Sequence, residues 1–377
     1  MSKLGVVPLL CCSLALTSCN RSAAKPPDTV VVVIESSPVN LDPRIGTDAQ
    51  SERMGELLFD PLVRRDEHFN VQPAVAESWE IPNPTTYIFN LRHDVRFHNG
   101  APLTARDVKW TIDSMLDGTI ISLKTSTYKG HISSIEAPDA STLIIHLNEP
   151  FTSLLWNLSD GAFGIVPFGS GKDFYRAPIG SGPFRYVSAE QDNEVILERN
   201  PDYWGTRAKI ERVRFAVVPD DTTRALELRK GSGDIAINAM SADMVEALRK
   251  QPQIEVQITP GTAFTYLAFN LRDPILKDVR VRQALAYGTD RNSLIHYLWR
   301  DEAEAADSIL PRQHWAYDDG LKGYPHDPSR ARKILVVQAP GCAPSDFWRY
   351  EYKNIPRPLW PWDEWELWSP SPELHRS

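Results

Sequence analysis

Apolar residues recur along the first 270 positions in runs and alternations that predict strands. The run at residues 29–34, TVVVVI, is continuous and of strand length, which is typical of a strand buried on both faces. Tyr87, Phe89 and Leu91 alternate with other residues and predict a half-buried strand. The same reasoning predicts further strands at residues 142–147, 184–187, 194–199, 213–217, 234–237, 254–258 and 264–270.

Helix start and stop signals lie between several of these strands. Residues 48–58 predict one helix, and Thr104 followed by Asp107 has the spacing of a capping box, with Asp in place of Glu, before a second. Acidic residues at 220–221 begin a third helix, which Gly231 ends. Because this helix separates the strands at 213–217 and 234–237, a parallel βαβ unit is expected. Further helices are predicted after Pro150 and from Ser241.

The loop at residues 180–183 has an unusual composition, Gly-Ser-Gly-Pro. Gly180 and Gly182 permit a close backbone approach on either side of Ser181, and Pro183 fixes its own φ. This combination predicts a loop that contacts another part of the protein or a ligand.

Composition and charge limit the classes of function that the protein can have. The chain has 377 residues, of which 42% are apolar, enough for two or three lobes around substantial cores. Its formal net charge of −8 argues against a nucleic-acid partner, because nothing would neutralise a phosphate backbone.

No stretch predicts catalysis, a metal or a cofactor. A catalytic site needs a nucleophile, a base and an orienting group within reach, and no motif indicates such a set, so we expect a protein that is not an enzyme. His93 and His98 would face opposite ways on a straight strand, so we expect no metal site there. The glycine-rich segments at 161–171 and 231–233 lack the rest of a phosphate-binding or dinucleotide fingerprint.

The N-terminus predicts export. Residues 4–16 are an apolar run after Lys3, too short to span a bilayer and of the length of a signal-peptide core. Residues 16–19, Leu-Thr-Ser-Cys, resemble a bacterial lipobox, which implies cleavage before Cys19 and lipid attachment to its sulfur. A polar tether over residues 19–28 follows. The alternative is a buried N-terminal helix with incidental cysteines.

Several short motifs occur in a fixed order. They are Asn-Leu-Asp-Pro at 40–43, Gly-Ser-Gly-Pro-Phe at 180–184, Asn-Pro-Asp-Tyr-Trp-Gly at 200–205 and Asp-Val-Arg-Val-Arg-Gln-Ala-Leu at 278–285. Together they resemble the extracytoplasmic solute-binding proteins of peptide-type ABC importers, over residues 41–333. Ser181 replaces the threonine of that family's loop, and Phe59-Asp60 replaces its Tyr-Glu pair.

The resemblance implies an α/β, periplasmic-binding-protein-like fold, in which two mixed-sheet lobes are joined by hinge strands and a small subdomain is added. The predicted strand at 264–270 contains Thr-Tyr-Leu-Ala-Phe-Asn at 265–270, which resembles that family's strand crossing between lobes. The domain organisation expected is a signal peptide at 1–18, a tether at 19–28, a first lobe at 29–60 and 175–260, a small inserted subdomain at 61–174, an incomplete second lobe at 261–336 and a disordered non-family tail at 337–377.

The sequence changes character after Val336. Residues 339–377 hold five of the 11 tryptophans and show no helix or strand period. We interpret this tail as the product of a frameshift that ends in a premature stop. An aromatic tail that binds another protein is the alternative. A chain without the rest of its second lobe would expose apolar surface, so poor solubility or an inactive product is expected.

The resemblance also implies a function. The chain would be a lipid-anchored, monomeric, extracytoplasmic component that captures peptides or related solutes and delivers them to ABC permease subunits. Candidate ligand contacts are the residues Asp48, Ser51, Gly180, Ser181, Gly182, Tyr266 and Asn270. Capping, turn geometry and core packing are the structural alternatives for these positions. A receptor or chaperone-like lipoprotein with the same fold is the alternative function.

Overall fold

Most of the predicted strands and helices form in the computed structural model, which describes residues 28–335 except 67, 69, 161, 162, 239, 260, 262, 313 and 315. The predicted signal peptide, the lipidation site Cys19 and the tail after Val336 lie outside the described residues. The chain divides into two compact units, Met1–Val256 and Gln257–Ser377, which are described separately below.

The first unit contains eleven strands and six α-helices within the described residues. The strands are β1 (Thr29–Ile34), β2 (Val63–Arg65), β3 (Val71–Pro73), β4 (Ala76–Asn83), β5 (Thr86–Leu91), β6 (Ile132–Glu136), β7 (Thr142–Leu147), β8 (Phe184–Glu190), β9 (Glu194–Arg199), β10 (Arg212–Val217) and β11 (Ile235–Ala236). The helices are α1 (Ala49–Leu58), α2 (Ala105–Leu116), α3 (Thr125–Tyr128), α4 (Leu154–Leu158), α5 (Asp221–Lys230) and α6 (Ala242–Arg249).

The apolar run at the start of the first unit is the centre of a mixed five-stranded sheet with the order β11-β1-β10-β9-β8. Strand β1 pairs in parallel with both β10 and β11, while β8, β9 and β10 pair antiparallel. The β10-α5-β11 unit is therefore parallel, as predicted, with β1 inserted between its strands. Three of the four residues Val31–Ile34 are at most 3% exposed, as expected for a strand covered on both faces.

A second, antiparallel sheet with the order β4-β5-β7-β6 follows the alternation read from the sequence. Tyr87, Phe89 and Leu91 of β5 are buried and pack with Val108 and Ile112 of α2. Helix α2 begins as predicted, because the Asp107 carboxylate accepts the Thr104 N–H at 2.8 Å. This core forms one cluster, and β1, α1, β9 and β10 contribute to a separate one.

The described part of the second unit is helical. It contains α7 (Val279–Gly288), α8 (Arg291–Trp299) and α9 (Pro328–Lys333), each begun by an aspartate whose side chain accepts a backbone N–H. The prediction of strands at 254–258 and 264–270 was wrong: neither segment has regular structure. A strand needs a neighbour for its N–H and C=O groups, and no described strand pairs with either segment.

Candidate functional site

The glycine loop, residues 180–183, lies directly against the C-terminal end of α1. A Cβ atom on Gly180 would stand 1.8 Å from the carbonyl oxygen of Leu58, and one on Gly182 would stand 2.6 Å from that of Leu57. The Gly182 N–H donates to the Leu58 carbonyl at 2.9 Å. A residue without a Cβ is required for this approach, so both glycines serve close backbone packing.

A buried carboxylate holds the glycine loop from the other side. Asp60 accepts hydrogen bonds from Ser181 Oγ at 2.8 Å, Tyr203 OH at 3.0 Å and Trp204 Nε1 at 2.9 Å. Burial raises the pKa of Asp60, while these three donors act in the opposite direction. Because Ser181 is 0% exposed, its hydroxyl serves Asp60 and not the surface. Asp60 therefore joins the loop to the motif at 200–205.

Two further residues, Asn200 and His98, form hydrogen bonds with carbonyl and amide groups of the loop. Asn200 Nδ2 donates to the Gly182 carbonyl at 3.0 Å, and the Asn200 N–H donates to the Pro183 carbonyl at 2.8 Å. His98, from the turn between β5 and α2, places Nδ1 3.1 Å from the Gly180 nitrogen and Nε2 3.1 Å from the Gly182 oxygen. Burial lowers the pKa of His98 to about 4.

The other predicted contacts in the first unit, Asp48 and Ser51, lie at the N-terminus of α1. Asp48 is the N-cap and accepts the Ser51 N–H at 3.0 Å and the Val39 N–H at 3.2 Å. Ser51 Oγ accepts the Asn40 N–H at 3.1 Å. The two groups of candidates therefore stand at opposite ends of one helix, about 15 Å apart at 1.5 Å per residue. Asp48 stays half-buried at the surface, and Ser51 is buried.

The last two candidates belong to the second unit. Tyr266 is 70% exposed and its ring contacts Phe264 at a centroid distance of 5.2 Å. Asn270 is exposed, and its side-chain oxygen accepts the Arg272 N–H at 3.1 Å. Core packing, the structural alternative for Tyr266, is thus not what the structure shows. Ligand contact by either residue stays a prediction.

Sequence reasoning missed a buried ion pair in the loop after β1. The Arg44 guanidinium donates to both Asp42 oxygens, at 3.0 and 2.7 Å, and to Ser114 Oγ at 3.1 Å, and both charged side chains are 0% exposed. A bidentate ion pair of this kind fixes the orientation of both side chains. It joins the loop that leads to Asp48 to helix α2. The Asp-Pro-Arg sequence at 42–44 was the available signal.

Asp60 and His98 were also missed as members of the site. Their partners in the glycine loop lie 121 and 82 residues away in sequence, so no local pattern predicts these contacts. The local signals for Asp60 were the apolar residues 57–59 directly before it and the match of Phe59-Asp60 to the Tyr-Glu pair of the resembled family.

No group of three or more His, Cys, Asp or Glu side chains in the described ranges is placed to hold a metal ion. Within the same part of the chain, no helix has the length and apolar character needed to cross a membrane.

Comparison with known proteins gives a consistent family. The family model described as bacterial extracellular solute-binding proteins, family 5, middle region, matches residues 70–337. Among similar proteins, heme-binding protein A of Haemophilus influenzae is 26% identical over 90% of this chain and 70% of its own length. A probable di/tripeptide-binding protein 5 of Pseudomonas aeruginosa is 30% identical over 82% of this chain and 64% of its own length.

A solved structure gives the same result at the level of the fold. NikZ from Campylobacter jejuni, in complex with Ni(L-His), aligns with a TM-score of 0.75 at 27% identity, over 83% of this chain and 64% of its own. The chain thus spans about two thirds of the length of the relatives that it matches.

Proposed function

Because the chain belongs to family 5 of the bacterial extracellular solute-binding proteins, we propose that it is the substrate-binding component of a peptide-type ABC importer. It captures peptides or related small solutes outside the cytoplasmic membrane and passes them to permease subunits. The family match over residues 70–337 carries this proposal, since that span includes the glycine loop, the motif at 200–205 and α7.

Short peptides are the solute class that we propose first. The relative with 30% identity is named for di- and tripeptides, whereas two others are named for heme or were solved with Ni(L-His). A peptide presents an amine, a carboxylate and backbone amides, which a site can recognise through charges at its two ends and main-chain contacts between them.

The proposed ligand contacts divide by how available their polar groups are. The half-buried Asp48 carboxylate can accept a further donor, such as a ligand amine, beside its capping bonds, and Ser51 would orient it. Tyr266 and Asn270 are exposed and available to a ligand. Gly180, Ser181 and Gly182 would act through the position of their backbone, because the Ser181 hydroxyl serves Asp60.

The proposed location is the outside of the cytoplasmic membrane, with a lipid on Cys19 as the anchor. Globomycin, which blocks processing of lipoprotein signals, should leave the unprocessed precursor to accumulate in membranes. A mature size that globomycin does not change would contradict the anchor without bearing on solute binding.

Binding is tested on the purified full chain by isothermal titration calorimetry with a panel of di- and tripeptides, Ni(L-His) and heme. We expect saturable binding of peptides, weakened about tenfold or more by Asp48→Ala, because a charged hydrogen bond contributes about 1.5–3 kcal/mol. Asp243→Ala, which removes an exposed first-turn carboxylate from α6, is the matched control. Binding of no peptide by a chain whose first unit is folded would contradict the proposal.

One observation favours a second candidate. Helix α8 has no buried residue and exposes Leu294, Tyr297 and Leu298. Such exposure is expected of an inactive product that folds in its first unit only. That product would bind no peptide in the calorimeter, while the amides of β1, β9 and β10 would be protected from hydrogen exchange.

A further inference from the structure

His98 makes three hydrogen bonds with the glycine loop, and together they fix its tautomer. The backbone N–H of His98 donates to the Gly180 carbonyl at 2.8 Å, and the backbone N–H of Gly180 donates to Nδ1 of the His98 ring at 3.1 Å. Nδ1 therefore carries no proton. Nε2, at 3.1 Å from the Gly182 carbonyl, must donate and so carries the proton.

Protonation is incompatible with this geometry. A proton on Nδ1 would point at the Gly180 N–H, so that two donors would face each other at a distance that suits a hydrogen bond. Neither partner can turn away easily: Gly180 lies against the Leu58 carbonyl, and His98 N–H is held by the Gly180 carbonyl. The arrangement accepts the neutral imidazole alone.

The charged groups around His98 do not favour an imidazolium. Arg185 of β8 opposes a second positive charge, although Glu198 of β9 accepts its Nε–H at 2.7 Å. On the turn itself, Arg96 is a further cation and donates to the Gly100 carbonyl at 3.0 Å. On the α1 side, the titratable group is Asp60, which accepts the hydrogen bond of Ser181 Oγ. The glycine loop contributes no titratable side chain.

We propose that His98 is a pH-sensitive latch. Its neutral imidazole fastens the turn at 97–100, which belongs to the four-stranded-sheet part of the first unit, to the glycine loop of the five-stranded-sheet part. Protonation releases the loop. The latch is a property of the first unit and does not depend on which solute the protein binds.

The size of the effect follows from the two protonation equilibria. With an ordinary pKa of 6.5 for the released imidazole and about 4 for the latched one, the ratio of latched to released loop should fall about 30-fold between pH 8 and pH 5.

The experiment uses the full chain labelled with ¹⁵N-histidine. Long-range ¹H–¹⁵N spectra should show His98 as the Nε2–H tautomer with a titration midpoint near 4, and hydrogen exchange, corrected for the intrinsic rate, should show the Gly180 amide losing about 30-fold of its protection between pH 8 and 5. His98→Gln offers one acceptor and one donor without titrating, so its protection should change less than threefold. His93→Gln, at an exposed histidine five residues earlier, should behave as the wild type.

Two results would overturn the latch. One is a His98 titration in the ordinary histidine range with Gly180 protection unchanged. The other is the same pH dependence of protection in the wild type and His98→Gln. If His98→Gln does not fold, His98→Asn supplies the same pair of groups one bond closer to the backbone and serves as the second variant.

Discussion

The two units contrast in how their motifs are used. In the first unit, residues of the family motifs contact each other: the glycine loop accepts a hydrogen bond from Asn200, 18 positions from Gly182, and donates one through Ser181 to Asp60, 121 positions away. In the described part of the second unit, motif residues form helices around a small cluster of Ala284, Tyr287, Ala331 and Ile334. Apolar side chains stay exposed there, among them Tyr297 at 69% and Leu298 at 67%.

The contrast shows that a matching motif does not by itself produce a packed lobe. Helices α7, α8 and α9 form because each backbone satisfies its own hydrogen bonds and begins with an aspartate cap. The segments at 254–258 and 264–270 have comparable strand patterns to β9 but no neighbouring strand among the described residues. Local order therefore follows from sequence, whereas sheet formation depends on partners.

The largest effect that would test this contrast comes from Asp60→Ala. It leaves three donors, from Ser181, Tyr203 and Trp204, without their acceptor. We expect the free energy of unfolding of the first unit to fall by about 4 kcal/mol, because an unsatisfied buried donor costs about 1–3 kcal/mol and water relieves part of it. Denaturant unfolding followed by tryptophan fluorescence measures it.

Asp60→Asn is the matched variant for that prediction, since it keeps the shape and one acceptor oxygen and should cost clearly less. A cost below 1 kcal/mol for Asp60→Ala would contradict the view that Asp60 holds the loop in place.

The next effect concerns the smallest possible addition, a methyl group. Gly180→Ala places a Cβ 1.8 Å from the Leu58 carbonyl, so the loop or α1 must move, at a cost of about 3 kcal/mol. Gly55→Ala, on α1 itself, has nothing within 4 Å and should stabilise by up to about 1 kcal/mol through helix propensity. Thermal unfolding of both variants gives the comparison. Equal effects of the two would show that the close approach is absent in solution.

The sequence was sufficient for much of the first unit and insufficient for its junctions. The patterns predicted β1, β5, α1, α2 and the parallel βαβ unit, because alternation, apolar runs and caps are local. They could not predict that His98 and Asp60 meet the glycine loop, since those contacts join distant residues. The sequence also could not decide whether a candidate such as Asp48 caps the helix or binds a ligand, because an aspartate at a helix N-terminus has the same sequence signal in both cases.

The pH dependence of the contact between His98 and the glycine loop is the third effect. The pKa of His98 is lowered from 6.5 to about 4 in the folded protein, so its contribution to stability is fully present above 6.5 and is lost as the pH falls toward 4. The loss amounts to about 3 kcal/mol, at 1.36 kcal/mol per pKa unit. Burial raises the pKa of Asp60, which alone favours the folded state at low pH.

The informative quantity is therefore the difference between the wild type and His98→Gln, measured by denaturant unfolding at pH 7.5 and 4.5. If the wild type and the variant lost stability in parallel as the pH fell, His98 would not be the group responsible.

The smallest effect is expected in the second unit. A leucine-to-alanine substitution can be made in each unit, so that the two effects on stability can be compared. Leu58→Ala removes a side chain that is 0% exposed on α1 and should cost about 2–5 kcal/mol. Leu298→Ala removes one from the exposed face of α8, so we expect a change within about 0.5 kcal/mol, because little apolar area leaves water there and alanine is a good helix former. Hydrogen exchange of α1 and of α8 follows each unit separately. A cost above 2 kcal/mol for Leu298→Ala would mean that the face of α8 is covered in solution, and that the second unit is as well packed as the first.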